Sequence, residues 1–254
     1  MKNRWIFRQI KRDTPSCRIF FFHHAGGTAL LYKNWEKYIS SSCEPVFVQL
    51  PMRANRMADD MPDSIQELAR DFIKESMDLF DIPCMFFGHS MGAQVAYEVA
   101  NQLSQNGIEP AGLFISACEA PNGKDKIIPY GNALEADRDV ILEILRDYDH
   151  MLDDEVLEDE DFLEYYLPIV RKDFYLSDIY RKNPDNKLEC DIQVFAGTND
   201  NHVDYSQCFD WEKFTKKDFE IYELPGDHFY FDTLENMENI CNKINKKVKM
   251  IQEN

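Results

Sequence analysis

The sequence predicts an α/β architecture, a mostly parallel central sheet flanked by helices. Short β-favouring apolar runs recur along the chain, segments with the spacing of one-faced helices separate them, and a Gly-x-Ser-x-Gly motif stands where one run gives way to a helix. The first run, residues 18–23, reads Arg-Ile-Phe-Phe-Phe-His and must break at Ala25-Gly26-Gly27. A helix is expected from about Thr28 to Ser40. Pro45 to Leu50 reads as the next strand, and Ile65, Leu68, Ala69, Phe72 and Ile73 recur as on a helix with one buried face. Cys84-Met85-Phe86-Phe87 is a short buried strand. Ala93, Ala96 and Ala100 then line a helix whose small side chains let it approach the sheet closely. Leu113–Ile115, Ile192–Phe195 and Phe219–Leu224 are further strands, and Leu234, Met237, Ile240, Cys241, Ile244 and Val248 line a C-terminal helix.

The alternation lapses once. About 70 residues between the strands near 115 and 192 carry helical patterning, too many for an ordinary αβ connection, so residues 119–189 are expected to form a helical insertion over the sheet, a candidate lid. Leu134 to Tyr166 holds fourteen acidic side chains against Arg138 and Arg146, which places twelve of the net eighteen negative charges in that insertion. No Gly-punctuated loop of the calcium kind accompanies them, so a solvated helix face is the simpler reading.

At 254 residues, 44% hydrophobic and 13% aromatic, the chain has the apolar content for one full core, read as a single domain over residues 1–254. A net charge of −18 opposes binding to nucleic acid or to an anionic membrane surface. The seven cysteines are scattered without a Cys-x-x-Cys pair and read as reduced core residues. No apolar stretch near the N-terminus is long enough for a signal peptide or membrane span, so a cytoplasmic protein is expected.

Gly88-His89-Ser90-Met91-Gly92 follows the strand at 84–87 and opens the alanine-lined helix, the context in which such a turn lifts a serine hydroxyl clear of the backbone. A serine hydroxyl alone is a poor nucleophile, so it needs a base and a group that orients the base. His228 lies in the turn-like Pro225-Gly226-Asp227-His228-Phe229, and Asp200 follows the strand at 192–195, giving the serine, acid, histidine order of α/β-hydrolases. Asp204 and Asp227 compete for the acid role, although Asp227 adjoins the histidine and should point elsewhere. A tetrahedral intermediate needs backbone donors; one is expected at Met91 and another in the loop His23-His24-Ala25-Gly26-Gly27. His24 is either a substrate contact or a plain turn residue. His150 and His202 have no partner at catalytic spacing, and no His-x-x-x-His pattern suggests a metal.

Several stretches in the same order resemble the type II thioesterases that serve nonribosomal peptide and polyketide synthases. They are His24-Ala25-Gly26-Gly27 with Trp35, Gln49-Leu50-Pro51 with Arg53 and Arg56, the Ser90 motif with Ala96-Tyr97-Glu98, Ser116 with Ala120-Pro121, Asp173-Phe174, Tyr180, Asp200 with Val203, and Leu224 to Phe229. The sequence departs from that pattern at His23, where proline is common, and at Met52, where glycine is usual.

The resemblance implies hydrolysis of acyl groups wrongly held on the phosphopantetheine arm of acyl or peptidyl carrier-protein domains, met transiently by a monomer with no cofactor of its own. It implies Ser90 as nucleophile, His228 as general base, Asp200 as its orienter, and Ala25 and Met91 as oxyanion donors. A fatty acyl-carrier-protein thioesterase and a small-ester hydrolase are the enzymatic alternatives; a non-catalytic binding module is the other. Because carrier proteins of this kind are typically acidic, docking is expected to rely on apolar contacts and on local basic residues, with Arg53, Arg56, Lys124 and Lys126 as candidates.

Overall fold

The computed structural model describes residues 3–7, 11–122, 128, 130–148 and 152–253. Its seven strands are β1 (Ile6–Phe7), β2 (Cys17–Phe22), β3 (Cys43–Val48), β4 (Cys84–His89), β5 (Gly112–Ser116), β6 (Ile192–Gly197) and β7 (Phe219–Leu224). They lie side by side in the order β1-β3-β2-β4-β5-β6-β7, with β1 antiparallel to β3 and every other neighbouring pair parallel. The α-helices are α1 (Ile65–Ser76), α2 (Met91–Gln105), α3 (Arg138–Asp147), α4 (Asp154–Leu157), α5 (Glu160–Ile179), α6 (Tyr205–Cys208) and α7 (Leu234–Gln252).

A parallel strand covered on both faces reads as an unbroken apolar run, and β2 is such a strand. Phe20 and Phe22 pack with Phe72 and Phe86 on one side of the sheet, while Ile19 and Phe21 pack with Trp35 and Phe87 on the other. Ser64 caps α1 by accepting the Glu67 N–H at 3.1 Å, and the helix buries the five apolar positions that its periodicity marked. Ala93, Ala96 and Ala100 of α2 are fully buried, as their size predicted. In α7 the apolar stripe is buried from Met237 to Val248, whereas Leu234 at its start is exposed.

The helix expected over residues 28–40 is replaced by two 3₁₀ turns, Ala29–Tyr32 and Trp35–Lys37. Ala29, Tyr32 and Trp35 are all buried, and a spacing of three aligns such side chains most directly on the tighter helix. The Tyr32 hydroxyl adds a bond to Phe22 O at 3.0 Å. The second strand begins at Cys43 rather than Pro45 and ends at Val48, because Gln49 leaves the sheet to bond Ala29 N–H through Oε1 at 3.2 Å. β1 and α6 were not anticipated; two and four residues are too short for a periodic signal.

The segment between β5 and β6 holds α3, α4 and α5, with α5 lying against α2. All seven cysteines are buried, and none is in a disulfide. Among the described residues no helix is long and apolar enough to cross a membrane.

The chain leaves β2 for β3 on one side and β4 for β5 on the other, so the connections that follow these two paired strands part at their carboxyl ends, the place where α/β sheets open a crevice. The loop that follows β3 forms one wall support of this crevice and carries two non-glycine residues at positive φ, Met52 (67°) and Ala54 (49°). A left-handed backbone at a residue with a Cβ costs about 1–2 kcal/mol, partly offset by the greater freedom glycine loses on folding. Ala54 is exposed, so its methyl group contributes little packing. Ala54→Gly is therefore expected to raise stability by about 0.5–1 kcal/mol, read as a higher urea midpoint at unchanged m value.

Candidate active site

β4 runs directly into a sharp turn in which Ser90 adopts φ 56° and ψ −124° before α2 begins at Met91. The two flanking glycines are sterically required. A Cβ on Gly88 would lie 2.1 Å from Gly92 O, and one on Gly92 would lie 2.2 Å from Phe22 O. The Ser90 N–H donates to Ser116 O at 2.8 Å, which holds the strained turn against the end of β5. Met91, as the first residue of α2, has an N–H without an acceptor inside its own helix, and the positive end of the helix lies at Ser90.

Asp200 and His228 come from the turns after β6 and β7, which are stitched together by Asn199 N–H donating to Gly226 O at 2.8 Å. His228 Nδ1 lies 2.8 Å from Asp200 Oδ2, and the side chains are only 4% and 2% exposed. Burial opposes the Asp200 carboxylate, but the hydrogen bond and charge of His228 and the His202 N–H at 2.9 Å outweigh it and hold the group below the usual carboxylate range. An ionised carboxylate can only accept, so Nδ1 of His228 carries the proton and Nε2 of the neutral ring is left as an acceptor. Of the competing acids, Asp204 caps α6 through Ser206 N–H, and Asp227 accepts from Phe229 N–H at 2.8 Å.

Ala25, Ser90, Met91 and His228 all line one cavity of about 440 Å³ beneath α5. Its lining also includes Asp178, Arg181 and Glu119, and Tyr130 donates to Asp178 Oδ2 at 2.6 Å. His24 lies on the wall with Nδ1 2.8 Å from Ala25 O, so the side chain both braces the turn and faces the cavity. Desolvation pushes its pKa down to about 4. Among the described residues no group of three or more His, Cys, Asp or Glu side chains is arranged to hold a metal ion.

Beneath the elbow, His89 is fully buried, with Nδ1 2.8 Å from Ser116 Oγ, which in turn bonds the Tyr230 hydroxyl. The Tyr230 proton is committed to Phe195 O at 3.0 Å. Both contacts of the Ser116 hydroxyl are hydrogen bonds only if Ser116 donates to Tyr230 and His89 donates from Nδ1 to Ser116. Burial keeps the His89 ring neutral, well below the ordinary histidine pKa. His202, which had no partner in the sequence, stacks on Tyr148 with centroids 3.7 Å apart, and the Tyr148 ring lies 5.0 Å from His228. His150 lies outside the described residues, as do Lys124 and Lys126.

The expectation that Arg53 and Arg56 serve docking is overturned, because they are 1% and 4% exposed. Arg56 lies over the Trp5 ring at 3.8 Å and bonds Asp59 at 2.8 Å. Arg53 is paired with Asp173 of α5. The sequence carried no signal for the Arg56–Trp5 or Arg53–Asp173 contact, whose partners are far apart in the chain, whereas Asp59 stands only three residues from Arg56.

A mostly parallel sheet whose β4 ends in an elbow serine, with a histidine that lines the same cavity and is backed by an aspartate, defines an α/β-hydrolase. The chain belongs, more narrowly, to the thioesterase family, whose thioesterase domain it matches over residues 17–248. It is 32% identical to the gramicidin S biosynthesis protein GrsT of Aneurinibacillus migulanus, over 95% of this chain and 94% of that one. It is 31% identical to the thioesterase PikA5 of Streptomyces venezuelae, over 94% and 84% of the two chains. The solved type II thioesterase BorB of the borrelidin biosynthetic cluster superposes with a TM-score of 0.85 at 28% identity, covering 96% of this chain and 97% of that one. The protein is accordingly a hydrolase acting on thioesters.

His23, His24 and His89 are all held below the ordinary value of 6.5, chiefly by desolvation. They protonate in the unfolded chain while still neutral in the folded one. As pH falls from 6.5 towards about 4 the unfolded state therefore binds more protons at His24, and stability falls with it. The urea midpoint is expected to drop between pH 7.5 and pH 5, and more shallowly in His24→Asn.

Proposed function

We propose that the protein is a type II thioesterase that removes aberrant or stalled acyl groups from the phosphopantetheine arms of carrier-protein domains, with Ser90, His228 and Asp200 as its catalytic triad. The observation that carries the reading is the His228–Asp200 bond of 2.8 Å opening onto the cavity that also contains Ser90. Full-length similarity to GrsT and to BorB supports the type.

In this reading Ser90 Oγ attacks the thioester carbonyl while His228 Nε2 takes its proton, and Asp200 stabilises the imidazolium. The carbonyl oxygen becomes an oxyanion held by the N–H groups of Ala25 and Met91, each worth about 3 kcal/mol of barrier. The pantetheine thiol departs, and water activated by His228 then releases the carboxylic acid from the acyl-serine. A thiol with pKa near 8.5 leaves without full protonation, so the first step demands little of His228 as an acid.

Residues 119–189, carrying α3 to α5, act as the lid over the cavity, and the enzyme works as a cytoplasmic monomer that meets its carrier partner transiently. The carrier supplies the phosphopantetheine as part of the substrate. The charged side chains in the lining, Asp178, Arg181 and Glu119, favour polar acyl groups over the long apolar chains of a fatty acyl thioesterase.

Mass spectrometry of a mis-acylated carrier protein incubated with enzyme tests the reading. Wild type is expected to return the free carrier thiol, and Ser90→Ala to fall to near background, a loss on the order of a million-fold. Retention of deacylation by Ser90→Ala would overturn the proposed nucleophile.

A further inference from the structure

Arg53 and Asp173 are buried charges for which the triad mechanism has no use. Arg53 Nη1 and Nη2 donate to Asp173 Oδ2 and Oδ1 at 2.6 and 2.8 Å, and the side chains are 1% and 0% exposed. The same Oδ2 accepts the Gly26 N–H at 2.7 Å. Arg53 also donates through Nε to Pro51 O at 2.8 Å and through Nη1 to Gly27 O at 3.3 Å. These contacts converge on the loop after β2 from two distant places, the strained loop after β3 and the middle of α5.

Stability alone does not explain the arrangement. A buried ion pair is about as stable as, or less stable than, an apolar pair of the same volume, because two charges must be desolvated. What the pair does that an apolar one cannot is fix backbone amides. His24 to Gly27 form a turn closed by Gly27 N–H donating to His24 O at 3.1 Å, with Gly26 at φ 73°, the signature of a type II turn. The Asp173 carboxylate holds the Gly26 N–H, Arg53 holds the Gly27 carbonyl, and Ala25 stands immediately before them at the cavity wall.

We propose that Asp173 and Arg53 are positioning residues for the oxyanion hole. Through Gly26 and Gly27 they set the place of the Ala25 N–H, and because Asp173 belongs to α5, the seating of that helix determines whether the hole is assembled. The inference rests on Ala25 as an oxyanion donor. A donor is effective only within hydrogen-bond range of the developing charge, and a misplacement of about 1 Å costs on the order of 100-fold in rate.

Two double variants separate positioning from charge burial. Arg53→Met/Asp173→Asn removes both charges but leaves an amide oxygen for the Gly26 N–H, whereas Arg53→Met/Asp173→Leu removes the charges and the acceptor. Each is assayed for kcat and KM on an acyl-pantetheine thioester, and for affinity towards an acyl trifluoromethyl ketone, whose adduct with Ser90 places an oxyanion in the hole. The leucine variant is expected to lose roughly 100-fold to 1,000-fold in kcat with KM within about two-fold, and to lose ketone affinity in proportion. The asparagine variant should recover at least about ten-fold of both.

Equal losses in the two variants, or wild-type kcat and ketone affinity in the leucine variant, would overturn the proposal. Arg53→Lys, which keeps the charge but breaks the bidentate geometry, decides the matter if the doubles do not fold. It should lose about ten-fold in kcat and ketone affinity at unchanged KM, and wild-type values for both would refute the inference. Ala25→Pro tests the underlying reading separately. Proline suits the second position of a type II turn and deletes only the proposed donor, so undiminished kcat in that variant would remove Ala25 from the hole whatever the Asp173 variants do.

Discussion

The close approach of α2 to the backbone of β2 is the constraint on which the site depends. With no side chain at Gly92, the first turn of α2 sits against the Phe22 and His23 carbonyls at a distance that even a methyl group would forbid. That contact brings the start of a helix, with its unpaired N–H groups, beside the loop that leaves β2. Met91 and Ala25 therefore share one corner of the cavity although 65 positions separate them in the chain. Gly88 permits the same approach from the strand side, and Ser90 is raised between them at a strained φ.

Around that corner the imidazoles divide into two kinds. His23, His24 and His89 are kept neutral by desolvation, and each is anchored through Nδ1: His23 to His24 O, His24 to Ala25 O, and His89 to Ser116. His228 alone among them has a carboxylate partner within 2.8 Å. A neutral ring can shape a wall without competing for the proton that His228 accepts in the proposed mechanism, where Asp200, held below the usual carboxylate range, would stabilise the imidazolium. The acidic surplus of residues 134–166 lies largely in exposed positions, where pairs such as Arg138–Glu160 at 2.7 Å contribute little to stability.

The sheet was legible because parallel strands buried on both faces leave continuous apolar runs, and Phe20, Phe21 and Phe22 are the plainest case. The elbow was legible because its glycines serve a local steric need. The His228–Asp200 contact could be anticipated from chain order, since both lie just past consecutive strands that pair in parallel. The 3₁₀ turns after β2 were misread because Tyr32 and Trp35 supply hydrophobicity without stating whether the spacing of three or of 3.6 prevails. Arg53 was misread for a deeper reason. A charged residue beside Pro51 looks like surface, and only the tertiary fold reveals that Asp173, 120 residues later, comes to meet it. Met52 shows the reverse. Its departure from the family's glycine pointed to a real backbone demand, a φ of 67° that the side chain tolerates at a cost.

Thioester cleavage shifts the burden of catalysis towards the oxyanion donors. The leaving thiol, with a pKa of about 8.5, is a far weaker base than an alkoxide, so protonating it contributes less, and charge developing on the carbonyl oxygen carries more of the barrier. An enzyme with that profile gains most from exact placement of two backbone amides. Here one amide is fixed by the steric fit of α2 against β2, which cannot relax without unfolding the elbow. The other belongs to a loop whose neighbours are held by Asp173 from α5 and by Arg53, an arrangement that moves if α5 moves. In the proposed mechanism the two halves of the oxyanion hole thus differ in kind: one amide is set by the fit of α2 against the sheet, and the other by a loop braced from α5.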